Sequence, residues 1–145
     1  MNMKFDGQIV THDMAALKAY CLIQPFPKQR ILDVWIEFMA SYKMTKNVVK
    51  TAGTSYSLKH QVEELSKFMQ KEHGWDYEYI GNEDLIIAMI HAGFNCKNAN
   101  TDQAGPNYYF NLAPLTESDI FKLKMLAKIT HKHIPLVDYQ QSVGV

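Results

Sequence analysis

Tyr79-Ile80-Gly81-Asn82-Glu83-Asp84-Leu85-Ile86-Ile87-Ala88-Met89-Ile90-His91-Ala92-Gly93-Phe94 is the stretch on which the fold turns. Asn82 is a good N-cap, because its side-chain oxygen can accept a free amide of the first helical turn. Glu83 and Asp84 follow where the helix dipole favours negative charge. Leu85 to Ile90 are apolar on every side. Gly93 can close the helix in a left-handed turn without a Cβ penalty. A short helix that is apolar all round has to be covered all round. The helix expected over 82–92 is therefore central, with the other helices packed against it.

Working outward, His73-Gly74 ends a helix that starts after the polar turn Thr51 to Ser57, with Ser55 or Ser57 as its cap. Leu58, Val62, Leu65 and either Phe68 or Met69 make its buried face, and Glu63 can pair with Lys67 one turn on. Before it, Ile31, Leu32, Val34, Trp35, Phe38, Met39 and Tyr42 fall on one stripe at helical spacing, the clearest amphipathic helix in the chain. Pro25 and Pro27 separate that helix from one over Met14 to Leu22, capped by Thr11 or Asp13. A strand pattern at Phe5 and Gln8–Val10 is interrupted by the turn residues Asp6-Gly7.

Downstream, Phe94 to Lys97 and Tyr108 to Leu112 read as the strands of a hairpin over 94–112, joined by a loop rich in turn formers. A last helix begins at Thr116, with Asp119 at the capping-box position, and runs to Thr130. Ile120, Leu123 and Ala127 form its apolar line, widened by Phe121, Leu126 and Ile129. Residues 134–145 are expected to be an extended tail. The fold class expected is helix-dominated α+β in one domain over 1–145, with about five helices around the 82–92 helix and one small antiparallel hairpin. Helix, helix and hairpin in that order also match a winged helix.

The chain has 145 residues, 47% apolar and 21% charged, which suits a real core and excludes a disordered chain. Fifteen basic and fifteen acidic residues cancel, whereas a dedicated nucleic-acid binder is usually basic overall. The charge is segregated: 1–58 carries +3, 59–121 carries −6 and 122–145 carries +3. No apolar run is long enough to span a bilayer. The two cysteines, Cys21 and Cys96, have no motif around them, and no signal-peptide pattern opens the chain. Reduced thiols in a cytosol are therefore expected.

Thr54-Ser55-Tyr56-Ser57-Leu58-Lys59-His60 with Glu63, then Tyr79-Ile80-Gly81-Asn82 leading into the Gly93-Phe94 helix end, then Asn107 with Phe110-Asn111, form a recognisable set. It resembles a group of small uncharacterised proteins carried on bacterial plasmids, phages and integrated elements. The pattern there is Ser-Tyr-x-Leu-Lys-His, Tyr-Val/Ile-Ser-Asn-Gly, a Gly-Phe or Gly-Tyr helix end, and Phe-Asn. This chain departs from it at Gly81 and Glu83. The resemblance covers the middle half of the chain. It implies a bacterial cytosol and a mobile element, whose small proteins often act on host machinery, including defence systems.

Among candidate sites, the acidic and aromatic run Glu72, Trp75, Asp76, Tyr77, Glu78 and Tyr79 is the best partner-binding stretch. Trp and Tyr bury large area at little entropic loss, and the acids would steer a host protein with a basic surface. The competing reading docks Trp75 and Tyr79 onto the core and leaves the acids in water. The alternative function is nucleic-acid binding. Lys43, Lys46, Lys50 and Lys59 cluster around a hydroxyl-rich turn ending at a helix N-terminus, which suits a phosphate. Lys124, Lys128 and Lys132 form a second stripe near His131 and His133. Both clusters also read as solvated faces. DNA reading by the 82–92 helix is not expected, because it lacks base-reading side chains and opens with two acids. No metal or cofactor is expected, since zinc needs converging ligands and no such motif exists. His91, Cys96, His131 and His133 would have to meet through the fold. Ser57 with His60, or Cys96 with His91, lack the context of a hydrolase, so a non-enzymatic function is expected.

Overall fold

The computed structural model of the chain describes residues 4–5 and 8–133, with only the backbone of 4–5 and 131–133. The Asp6-Gly7 turn and the 134–145 tail expected from sequence lie outside the described residues, as do the side chains of His131, Lys132 and His133.

Each helix starts where a cap is available. Asp13 Oδ1 accepts the Ala16 amide at 3.1 Å and opens α1, Met14–Ile23. The N-terminus of α2, Arg30–Tyr42, has no side-chain cap of its own, and the Glu78 carboxylate lies where the Arg30 and Ile31 amides favour its charged form. Ile31, Leu32, Val34, Trp35, Phe38 and Met39 are buried as the stripe requires. Tyr42, expected with them, is exposed instead. It lies in the last turn of α2 and packs only its ring on Phe38, centroids 5.1 Å apart.

Helix α3, Ser55–His73, is capped by Thr54, not by Ser55 or Ser57. Ser57 Oγ accepts the Thr54 amide at 3.0 Å, while Ser55 Oγ is already used by the Tyr108 amide at 3.1 Å. Gly74 turns left-handed at φ +71°, and the Trp75 amide reaches back to the Met69 carbonyl. This Schellman-type stop swings Trp75 onto the core.

The central helix, α4, is Asn82–His91. Its residues Leu85 to Ile90 are all buried, and α1, α2 and α3 pack around it. The expectation of an apolar helix covered on all sides therefore holds. No face of that run is left to enter a nucleic-acid groove. One detail differs. Gly81 is the N-cap, and Asn82 is the first helical residue. The Asn82 amide is drawn away to the hairpin loop, donating to the Pro106 carbonyl at 2.8 Å. Gly93, at φ +94°, and Phe94 close α4 by bonding back to Ile90 and Met89.

Strand β1, Lys4–Phe5, pairs antiparallel with β2, Gln8–Ile9. The expected hairpin forms from shorter strands: β3, Cys96–Asn98, pairs with β4, Tyr108–Phe110, in the register Cys96↔Phe110 and Asn98↔Tyr108. Its loop is fastened by Asn98, buried, whose Nδ2 donates to the Gly105 and Thr11 carbonyls and whose Oδ1 accepts the Asn100 amide. The Tyr108 hydroxyl donates to the Thr11 carbonyl at 3.0 Å and accepts the Thr11 amide at 3.0 Å, tying the hairpin to the N-terminal segment. The architecture is a helix-dominated α+β fold with small two-stranded antiparallel pairs.

Helix α5, Glu117–His133, opens with the capping box read from sequence: Thr116 and Asp119 exchange bonds of 2.9 and 3.1 Å. It continues to His133 rather than stopping at Thr130. Of its apolar line, Leu123 and Ala127 are buried, but Ile120, Phe121 and Ile129 face solvent, because α2 and α3 cover one side of α5 only.

Asp119 also accepts the Lys43 ammonium at 2.6 Å. That bond, with the Thr116 amide, holds its carboxyl down at about 2, against an ordinary 3.8. A lowered folded pKa contributes stability that is present above the ordinary carboxylate range and lost as pH falls toward 2. Melting temperature measured from pH 5 to pH 2 should therefore fall less steeply in Asp119→Asn than in the parent. The two should converge near pH 2, and the offset at neutral pH measures the pair, whose side chains are 13% and 14% exposed.

Candidate functional site

Helix α3 carries two buried stripes. Leu58, Val62, Leu65 and Met69 enter the core, as read from sequence. Beside them runs a polar row, Ser55, Lys59, Glu63 and Ser66, spaced so that all four lie on one helical face and all are buried. A buried polar group has to find partners, and this row finds them in neighbouring backbone. Ser66 Oγ accepts the Glu78 amide at 2.9 Å, and Glu63 Oε2 accepts the Ile80 amide at 3.1 Å. The row thus receives alternate amides of the extended 78–80 segment, much as an adjoining strand would. From the other side, Gln29 Nε2 donates to the Tyr79 carbonyl at 2.7 Å.

This arrangement decides how the acidic and aromatic run is displayed. Trp75 is buried, 6% exposed, with the Arg30 guanidinium stacked 4.0 Å from its ring centroid. Tyr79 points the other way and is 68% exposed. The sequence reading that paired Trp75 with Tyr79 is therefore split: one is core, the other is surface. Tyr77 is also exposed, as are Glu72 and Asp76. Glu78 is half-buried. Burial raises its carboxyl above the ordinary value, with the Ile31 and Arg30 amides acting in the opposite direction. It serves the start of α2 rather than the surface.

Around Tyr79 the polar row builds a cluster. The Lys59 ammonium lies 4.5 Å from the Tyr79 ring centroid and 5.7 Å from that of Tyr56. It pairs with Glu63 at 3.5 Å, both side chains being buried. His60 Nδ1 meets Glu63 Oε1 at 3.0 Å, and the His60 ring stands edge-on to Tyr56 at 4.5 Å. The expected Glu63–Lys67 pair does not form, because Glu63 faces inward toward Lys59; Lys67 pairs with Glu64 instead. Two exposed tyrosines are thus braced by a buried ion pair.

Two of the lysines of the alternative reading are engaged by carboxylates. Lys43 is bound to Asp119 and Lys59 to Glu63. Lys46 and Lys50 are exposed, with Lys50 6.0 Å from the Tyr109 ring. Lys124 lies over Phe68, and Lys128 is exposed. The side chain of Lys132 is outside the described residues. The pairs weighed for hydrolysis are not assembled. His91 Nε2 contacts the carbonyls of Cys21 and Gln24 at 3.0 and 2.8 Å, while Cys96 Sγ contacts Met14 Sδ at 3.6 Å. Burial pushes both thiols, Cys21 and Cys96, up to about 12, far from a reactive thiolate. Ser57 Oγ is held by Thr54. Among the described residues, no group of three or more His, Cys, Asp and Glu could hold a metal ion. No helix among them is long and apolar enough to cross a membrane.

The Lys59–Glu63 pair is the feature that sequence reading missed. Its only signal was the spacing of Ser55, Lys59, Glu63 and Ser66 beside an apolar stripe, a pattern that otherwise reads as a solvated face. No protein-family model, no curated protein and no solved structure matches this chain.

Proposed function

We propose that this protein is a small non-enzymatic interaction module that binds a host protein through the tyrosine face formed by Tyr56, Tyr77 and Tyr79. The observation that carries this reading is the placement of Tyr56 and Tyr79. Both are more than half exposed, yet both are braced by the buried Lys59–Glu63 pair. An aromatic side chain already fixed in place loses little entropy on binding, which is why such residues dominate interface energies. Glu72 and Asp76 stand exposed on the same acidic segment and favour a partner with a basic surface. The bacterial mobile-element setting, and with it inhibition of a host defence or regulatory protein, rests on the sequence resemblance. The nucleic-acid alternative is weaker, since Lys43 and Lys59 are each engaged by a carboxylate.

The test is affinity capture from bacterial lysate by the parent and by a Tyr56→Ala/Tyr79→Ala variant, each with and without nuclease. A protein held by the parent after nuclease, and lost by the variant at unchanged melting temperature, supports the reading. Equal capture by both forms would overturn the assignment of the face. Capture that vanishes with nuclease would replace it with the lysine reading, whose affinity should fall steeply with salt.

A further inference from the structure

A groove of about 600 Å³ lies between α3 and α5, away from the tyrosine face. Its floor is apolar: Leu65 and Leu123 are buried there, and Phe68 and Leu115 are partly covered. Its rim is basic. Lys67, Lys71 and Lys124 line it, against one acid, Glu64. Glu64 is engaged by Lys67 at 3.3 Å, and Lys124 lies 4.5 Å from the Phe68 ring centroid. Lys71 has no carboxylate within 4 Å among the described residues.

Size and charge select the occupant. Small-molecule sites typically enclose about 300–1,000 Å³, with apolar walls and few polar groups. A second copy meeting this face across a two-fold axis would set its lysine rim against an identical lysine rim, which is repulsive. We propose that the groove binds a small apolar molecule carrying a carboxylate. The apolar body lies on Leu65, Phe68, Leu115 and Leu123, and the carboxylate sits between Lys71 and Lys124.

The test uses the full chain titrated with 11-(dansylamino)undecanoic acid, followed by dansyl emission, alongside the uncharged methyl ester of the same probe. Saturation at one probe per chain is expected, with binding weakened about tenfold in Lys71→Glu/Lys124→Glu and comparably for the ester. Both substitutions are at surface lysines, and a thermal melt checks that the fold is kept. Tyr56→Ala/Tyr79→Ala should leave probe binding unchanged, which separates this site from the tyrosine face. Absence of saturable binding would overturn the proposal. So would equal binding of acid and ester, or of parent and charge-reversed chain. A concentration-dependent dimer in sedimentation that excludes the probe would assign the groove to a second copy instead.

Discussion

Glu63→Ala is expected to destabilise the fold by about 3–5 kcal/mol, the range found when one member of a buried ion pair is removed. The Lys59 ammonium would be left buried without its carboxylate, and the Ile80 amide would lose its acceptor. The pair itself is not a large net source of stability, because taking both charges from water offsets most of their attraction. The loss comes from the unpaired charge that remains. Lys59→Met/Glu63→Leu should accordingly recover much of the stability lost in Glu63→Ala, although the Ile80 amide stays unsatisfied. Guanidinium unfolding of the three chains gives the comparison. A loss below about 1 kcal/mol in Glu63→Ala, the scale of a surface pair, would mean that Lys59 escapes to water and the tyrosines are not braced. The same substitution should loosen Tyr56 and Tyr79, so partner capture should fall even in the fraction of molecules that remains folded.

Ile86→Ala is the second large effect, with an expected loss of about 2–5 kcal/mol. Ile86 is fully buried on α4, and α1, α2 and α3 close around that helix. A cavity there is walled by packed helices that cannot collapse into it, which places the value toward the upper part of the range. For a chain of this size, each kcal/mol lowers the melting temperature by about 2–4 °C. Phe121→Ala provides the contrast. Phe121 is larger but 67% exposed on the outer face of α5, so its removal should stay within about 0.5 kcal/mol. Thermal melts of both variants test whether α4 is the centre of the core. Similar losses from the two would contradict that placement.

Much of the fold was legible because periodicity and caps are local properties. The all-apolar run Leu85 to Ile90 could only be a covered helix, and it is. The α2 stripe, the Pro25–Pro27 break, Asp13, the Thr116–Asp119 box and the glycine stops at Gly74 and Gly93 each act within a turn or two of chain. Three misreadings share one cause. Asn82, Ser55 and Glu63 were given local partners, as an N-cap, an N-cap and an i,i+4 salt bridge. Asn82 and Ser55 instead serve Pro106 and Tyr108, and Glu63, turned inward to Lys59, also takes the Ile80 amide. A short polar side chain has several partners of similar energy, and the one that wins is whichever backbone group burial would otherwise leave unsatisfied.

The site was legible only in part for the same reason. Sequence located the Glu72 to Tyr79 run as the stretch most suited to a partner, but it could not say which aromatic faced out. That was decided by Gly74 turning Trp75 inward, and by Ser66 and Glu63 gripping alternate amides so that Tyr79 emerges. By itself, the sequence determined the central helix, the order of elements and the segregation of charge, because these follow from composition and spacing along one strand of chain. The tertiary structure alone decided that Lys59 and Glu63 would be buried together, that two tyrosines would stand braced above them, and that a lysine-rimmed groove would open between α3 and α5. Those features depend on which groups meet across the fold once water is excluded, and no local pattern encodes that meeting.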